Sequence, residues 1–496
     1  MNDNQKKYSI DDKQTKRNLI FYPIGTLGRD MVYSLFTNFI LLYVLFTRNL
    51  TTSQLMAVTG IMIGARIFDA LNDPIMGNII ERTRTRWGKF KPWMVIGILT
   101  TCVVVYLAFN VRLEGWPFIW FFGIIYFSYS ITYTMHDISY WGMLPALGSE
   151  KDTRDKLTAR TNLVAGIGAG LAGLFIPMFT TGSKAIGGNT QSAYGVLSLL
   201  FCILAPLFFS FTIFGVKENR SYMDKPAPKI NIKKIITTIT GNDQLMWVSL
   251  IFLLQEIGAT LVMGGLGSTF VYFRFGYDGG LYSLFSTIGL SASGVLLLAY
   301  PRLSSRWRRK ELTKAFGIVA FFGYILMLFA GFILDGMLSF WLITIGYMIS
   351  QLGQNCFYII LMISIMNTVE YNEYKKGTRD EAIIASLRPF LTKFTSAIVV
   401  LLTTLTYIAF GVTNYTNQIS TLEKQTSMGI ITEAEKLSMV HNVLSQVDIA
   451  QSNGLLVVMS VIPGLMLFIG YKLYKKYYIL DEEEYDRIVE EIRARN

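Results

Sequence analysis

Apolar and polar positions along this chain fall into long blocks. Stretches without a charged residue recur at Pro92–Asn110, Gly115–His136, Thr161–Ser183, Ala185–Gly215, Ala315–Leu334 and Gly336–Val369. A helix crosses a bilayer with about 20 consecutive apolar residues, and a soluble core does not call for so many runs of that length. The pattern predicts an all-α polytopic membrane protein of about twelve transmembrane helices. In the first half these are Asn18–Phe46, Gln54–Ile80, Pro92–Val111, Trp116–Leu147, Thr161–Thr181 and Ser192–Gly215. In the second half they are Gln244–Tyr272, Tyr282–Tyr300, Lys314–Leu334, Ser339–Val369, Ile383–Phe410 and Gly454–Tyr471. A polar segment, Tyr415–Ser452, separates the last two spans, and its Ile430–Val440 part reads as a surface helix.

Composition agrees: 52% of the 496 residues are hydrophobic and 16% charged. The net charge of +11, taken alone, would suggest a nucleic-acid partner, but its distribution excludes that. Lys and Arg gather at Arg82–Lys91, Lys151–Arg160, Lys217–Lys234, Arg302–Lys314 and Lys375–Arg379, while the loops around Glu114, Lys184, Arg274 and Asp335 carry little positive charge. That alternation marks cytoplasmic loops, so both termini are expected inside a cell membrane. The predicted organisation is a cytoplasmic segment 1–17, a six-helix bundle 18–216 and a cytoplasmic linker 217–243 containing Pro226 and Pro228. A second six-helix bundle 244–475, with the external loop 415–452, and a cytoplasmic tail 476–496 complete it. The polar start to about Arg17 shows no small-residue cleavage site, so the first span is expected to direct insertion without a signal peptide. A basic loop follows the second span of each half, Arg82–Lys91 and Arg302–Lys310. This is the outline of a two-bundle transporter, with each basic loop expected to stabilise a closed face through ion pairs. With only two histidines, His136 and His441, three cysteines (Cys102, Cys202 and Cys356) in apolar context and no substantial soluble domain, the chain has few candidates for nucleophile or base. An enzyme such as a membrane acyl- or glycosyltransferase is therefore not expected.

Ionisable groups inside spans are functional candidates, because each costs a few kcal/mol on insertion scales. Asp69 and Asp73 stand one helical turn apart and share a face, with Asn72 beside them. Hard cations prefer oxygen ligands, so the pair suggests a monovalent cation site that could also take a proton; the alternative is an ion pair from Asp69 to Arg66. Asp30 on span one and Asp137 on span four could meet, and with Arg29 they offer the acceptors and donors that sugar hydroxyls require; the alternative for Asp30 is an internal salt bridge to Arg29 or Lys393. Trp141 lies one turn after Asp137 and offers a flat face; its alternative is an interfacial belt position. Lys393 could neutralise the carboxylates when no cation is bound, or snorkel towards the cytoplasm. His136 reads as a packed neutral ring. Glu256 has no recognisable partner and receives no role.

The stretch A-R-I-F-D-A-L-N-D-P-I-M-G followed by R-T-R-T-R-W-G-K-F-K-P-W resembles the glycoside–pentoside–hexuronide:cation symporter family of the major facilitator superfamily, melibiose permease-like. G-R-D in span one, T-Y-T-M-H-D-I-S-Y-W in span four and T-V-E-Y-N-E-Y-K-K-G-T-R-D-E-A-I after span ten extend the match. The resemblance implies a cation site of Asp69, Asn72, Asp73 and Thr134 for Na+, Li+ or H+, with no cofactor beyond that co-transported ion. It implies a sugar site of Arg29, Asp30, Asp137, Trp141, Arg160 and Tyr358, with Lys393 in coupling. Arg29 stands where the family has a lysine, Tyr358 where it has a tryptophan, and Asn367 where it has an acid. A galactoside, a xyloside and a glucuronide are therefore equally open. The expected protein is a monomeric symporter working by alternating access. An uncoupled facilitator or sensor, or a symporter of a non-sugar substrate, is the alternative. No phosphotransferase-type regulatory domain is expected after span twelve.

Overall fold

The computed structural model describes residues 12–147, 151–218 and 237–495. Most of the predicted linker 217–243 and of the segment 1–17 lies outside the described residues. Helices account for nearly all of the rest, with no strand among the described residues. In chain order they are α1 (Asp12–Thr47), α2 (Thr52–Arg82), α3 (Lys91–Asn110), α4 (Gly115–Met143), α5 (Lys151–Thr180) and α6 (Thr190–Gly215). The second half begins with α7 (Asp243–Thr260), a π-helical turn at Val262–Leu266 and α8 (Gly267–Phe275). It continues with α9 (Gly279–Ser304), α10 (Arg309–Ile333), α11 (Gly336–Lys376) and α12 (Glu381–Ala409). Last come α13 (Val412–Ser427), α14 (Glu433–Leu444), α15 (Ile449–Tyr477) and α16 (Glu482–Arg495). Eleven helical segments among the described residues are long and apolar enough to cross a membrane, and α2, bent by 41° between Thr52–Asp69 and Asn72–Arg82, makes the twelfth. Pro74 lies within α2; its missing N–H leaves the Ala70 carbonyl without an intrahelical donor, a standard cause of bending.

Two compact units result. Unit 1 comprises 1–230, 278–283 and 413–443; unit 2 comprises 231–277, 284–412 and 444–496. Within unit 1, α1 packs on α5 and α6, α2 on α4, and α3 on α4 and α6. Small residues allow the close approaches. A Cβ on Gly28 would stand 2.6 Å from the Ala205 Cα, and one on Gly97 would stand 2.7 Å from the His136 backbone nitrogen. Away from these seams large apolar side chains face outward: Trp120, Phe214 and Leu298 are 75%, 77% and 79% exposed, as surfaces in contact with lipid tails require.

Three polar segments differ from expectation. Lys151–Arg160 is the first part of α5, because its Lys, Arg, Leu and Ala residues are good helix formers and a helix can continue past the bilayer. The polar segment after α12 contains two helices, with α14 starting later than the predicted Ile430. Thr432 and Glu435 fix that start: the Thr432 backbone N–H donates to Glu435 at 2.8 Å and the Glu435 N–H donates back to the Thr432 hydroxyl at 3.3 Å, the capping box that T-x-x-E encodes. Lys436, one residue on, is wholly buried against Glu423 at 3.4 Å. Glu423 also accepts the first N–H of α6, from Thr190, at 2.8 Å, where a helix N-terminus favours negative charge. The third segment is the tail, which forms α16. Its acidic start bonds the second basic loop, through Arg308–Glu483 at 2.7 Å, Arg309–Glu482 at 2.9 Å and Lys310–Asp481 at 2.9 Å.

Candidate functional site

Two polar clusters lie inside unit 1, and α4 contributes to both. The first lies between α2 and α4. Asp69 accepts a short hydrogen bond from Ser130, and Asp73 accepts one from Thr134 at 3.1 Å. Both acceptors and both donors are four residues apart, so the two helices run parallel here and carry two rungs one turn apart. Asp69 is 5% exposed and also lies 3.6 Å from the Arg66 guanidinium. The Asn72 side-chain nitrogen is buried without a hydrogen-bond partner among the described residues. The carboxylates, the hydroxyls and the amide of this cluster are the oxygen ligands that a hard monovalent cation accepts. Ser130 was not singled out from the sequence, yet it precedes Thr134 by the interval that separates Asp69 from Asp73.

The second cluster lies between α1 and α4. The Arg29 guanidinium reaches Asp30 at 3.0 Å and Asp137 at 3.1 Å. It lies over the rings of Tyr140 (4.8 Å) and Trp141 (5.6 Å), in cation–π range. Tyr140 in turn stacks on Tyr22 with ring centroids 4.3 Å apart. Each of these tyrosine hydroxyls bonds the other's backbone carbonyl, which locks α1 to α4. Arg29 is almost wholly buried, whereas the Asp137 side chain remains 32% exposed. An entering ligand would therefore meet Asp137 and the Trp141 edge of the cluster before it met Arg29.

The remaining predicted residues lie elsewhere. Arg160 is exposed on α5 and donates to the Leu19 carbonyl at 3.2 Å. Tyr358 on α11 and Lys393 on α12 belong to unit 2, where the Tyr358 hydroxyl accepts from Arg388 at 2.7 Å. The ring of His136 sits edge-on to Tyr133 at 4.7 Å and Phe209 at 5.9 Å. Neither of its nitrogens is hydrogen-bonded among the described residues.

Thr134 of the first cluster and Asp137 of the second are separated by three residues of one helix, about 4.5 Å along its axis. A family model described as "MFS/sugar transport protein" matches residues 21–433. The chain belongs to that family. It is a multi-span membrane transporter of the major facilitator fold and not an enzyme. It is 26% identical over 491 residues to the raffinose carrier protein of Pediococcus pentosaceus, covering 95% of this chain and 71% of that one. It is 26% identical over 428 residues to a lactose permease of Lactobacillus helveticus, covering 82% of this chain and 64% of that one. The alignment thus spans less than two thirds of that permease. Among solved structures, a bacterial homologue of the human lysosomal transporter Spinster superposes with a TM-score of 0.63 at 13% identity, covering 94% of this chain and 99% of that one. The sugar carriers among the relatives fit the symporter family that the span-two motif resembles.

Proposed function

We propose that this member of the family is a secondary active transporter that couples Na+ or H+ to the symport of a glycoside, pentoside or hexuronide by alternating access. One observation supports this reading above the rest: α4 supplies Ser130 and Thr134 to the acidic rungs and Asp137 and Trp141 to the Arg29 cluster. In this reading the cation sits at Asp69 and Asp73, with Thr134 and Asn72 as neutral ligands. The sugar hydroxyls bond Asp30, Asp137 and Arg29, and a pyranose face lies on Trp141. The cation neutralises the charge of this acidic pair, and Asp73, bonded to Thr134, is the member chosen for the test. Lys393, in unit 2, acts in coupling.

The test is uptake of labelled galactosides, xylosides and glucuronides into membrane vesicles with an inward Na+ gradient, an inward H+ gradient or neither. One sugar class is expected to accumulate above equilibrium under one gradient, and Asp73→Asn is expected to reduce this to downhill equilibration. Gradient-independent uptake that survives Asp73→Asn would leave an uncoupled facilitator. The Arg66–Asp69 pair favours that second reading, because a built-in guanidinium can stand in for a transported cation.

A further inference from the structure

Unit 2 contains an acid to which neither the sequence motifs nor the clusters of unit 1 give a task. Glu256 lies near the middle of the span that runs from Asp243 to Phe275, about 20 Å along the axis from its start. Its side chain is buried, 9% exposed. Its carboxylate has no hydrogen-bond or ion-pair partner among the described residues, in contrast to Asp30, Asp69 and Asp137. An acid at that depth is retained for a task.

Two independent features mark the same place. The helix breaks shortly after Glu256: Val262–Leu266 is a π-helical turn, with Gly265 at φ 123°. A Cβ on Gly264 would stand 2.6 Å from Val399, and one on Gly265 would stand 2.9 Å from the Tyr407 hydroxyl, so α12 closes against this break. Interrupted spans at mid-membrane depth are where transporters build ligand sites. The second feature is the pair across from α7. Phe252, one turn before Glu256 and on its face, contacts the Tyr358 ring at 5.8 Å. The Tyr358 hydroxyl holds Arg388 at 2.7 Å, and Tyr358 and Arg388 are both within electrostatic reach of Glu256.

We propose that Glu256 is a specificity-determining residue of unit 2 that accepts hydrogen bonds from hydroxyls of the transported sugar, opposite the donors of the Tyr358–Arg388 pair. This rests on the proposed sugar-transport function and adds to it an acceptor on the second unit. A cation is the poorer occupant, because Glu256 is a single carboxylate with a guanidinium nearby, whereas hard cations gather several oxygen ligands. A carboxylate within electrostatic reach of a phenol and a guanidinium matches a neutral polyol, whose hydroxyls both donate and accept.

The test measures uptake of methyl galactoside, methyl xyloside, methyl glucuronide and their monodeoxy analogues by wild type and Glu256→Gln. For the accepted glycoside, Glu256→Gln is expected to raise KM about tenfold or more and to leave the half-saturating cation concentration unchanged. One monodeoxy analogue is expected to lose the same factor in wild type and nothing further in the variant, the coupling a double-mutant cycle detects. A wild-type KM in Glu256→Gln overturns the subsite while the transport function stands. An equal shift in cation dependence also overturns it, by placing Glu256 with the cation. Absence of uptake of every glycoside by wild type overturns the function and the subsite together. If Glu256→Gln does not reach the membrane, labelling of the wild-type carboxyl by dicyclohexylcarbodiimide, read at the Glu256 peptide, decides: slower labelling with bound glycoside supports the subsite, and equal labelling overturns it.

Discussion

The Arg29 guanidinium combines roles that a point charge cannot. Its Nε and Nη2 hold Asp30, its Nη1 holds Asp137, and its plane lies over Tyr140 and Trp141. A lysine would keep the charge but lose the fork and the stacking. One charge-assisted hydrogen bond is worth about 1.5–3 kcal/mol, roughly ten- to a hundredfold in affinity. Arg29→Lys is therefore expected to change the KM for the transported sugar by about tenfold or more, with the cation half-saturation nearly unchanged. Transport kinetics of the purified variant in proteoliposomes check this, and an unchanged KM would remove Arg29 from the sugar site. At this scale the sequence was informative where acids interrupt apolar runs, since a charge in a span has few structural excuses; Asp69, Asp73, Asp30 and Asp137 were legible for that reason. Ser130 was not, because a serine in an apolar helix is cheap and common. Only the partner helix, with its acids at the same interval, gives it a meaning.

At the scale of elements, hydropathy located the spans because twenty-residue blocks leave little freedom, but it was silent on the polar helices. In α16 the information lies in charge spacing, with Arg487 bonded to Glu484 at 2.5 Å and also paired with Glu491, and in a basic partner loop distant in sequence. Glu482 joins the two. Burial raises its pKa, but the backbone N–H and the guanidinium of Arg309 outweigh burial, so its carboxyl sits below the usual glutamate range. Asp481 is likewise lowered, burial opposing and the Lys310 ammonium prevailing. Groups with depressed pKa values stabilise the folded arrangement above their unfolded values, about 3.9 for Asp and 4.3 for Glu, and lose that contribution as pH falls through the folded values. The α16 attachment is therefore expected to be complete at neutral pH and to weaken as pH falls below about 4. Hydrogen exchange of the α16 amides, scaled for intrinsic rate, should show protection falling across that window in wild type. Glu482→Gln should already show reduced protection at neutral pH. Equal protection at pH 7 and 3.5 would mean that the ion pairs contribute nothing to docking. High salt should act in the same direction as acid, because these pairs are partly exposed.

For the whole molecule, coupling is a statement about free energies. If the rungs of α2 and α4 bind a cation and the Arg29 cluster binds a sugar, the shared helix gives each ligand a way to alter the other's site. Neutralising Asp73 changes what Thr134 bonds, and Thr134 is less than one turn from Asp137 on a helix that the Tyr22–Tyr140 clamp holds to α1. Thermodynamic linkage then imposes a condition independent of any pathway. Saturating cation must raise sugar affinity by the same factor by which saturating sugar raises cation affinity, typically about 5–150-fold. Calorimetric titration of purified protein gives both factors: sugar into protein with and without Na+, and Na+ into protein with and without sugar, repeated for H+ across a pH series. The two factors are expected to agree, and in Asp73→Asn both are expected to fall to about one while sugar still binds with the affinity of the cation-free wild type. Sugar affinity indifferent to Na+, Li+ and pH in wild type would separate the clusters energetically and make the protein a facilitator. Loss of all sugar binding in Asp73→Asn would instead make the first cluster part of the sugar site, so the variant distinguishes a neighbour that communicates from one that merely touches.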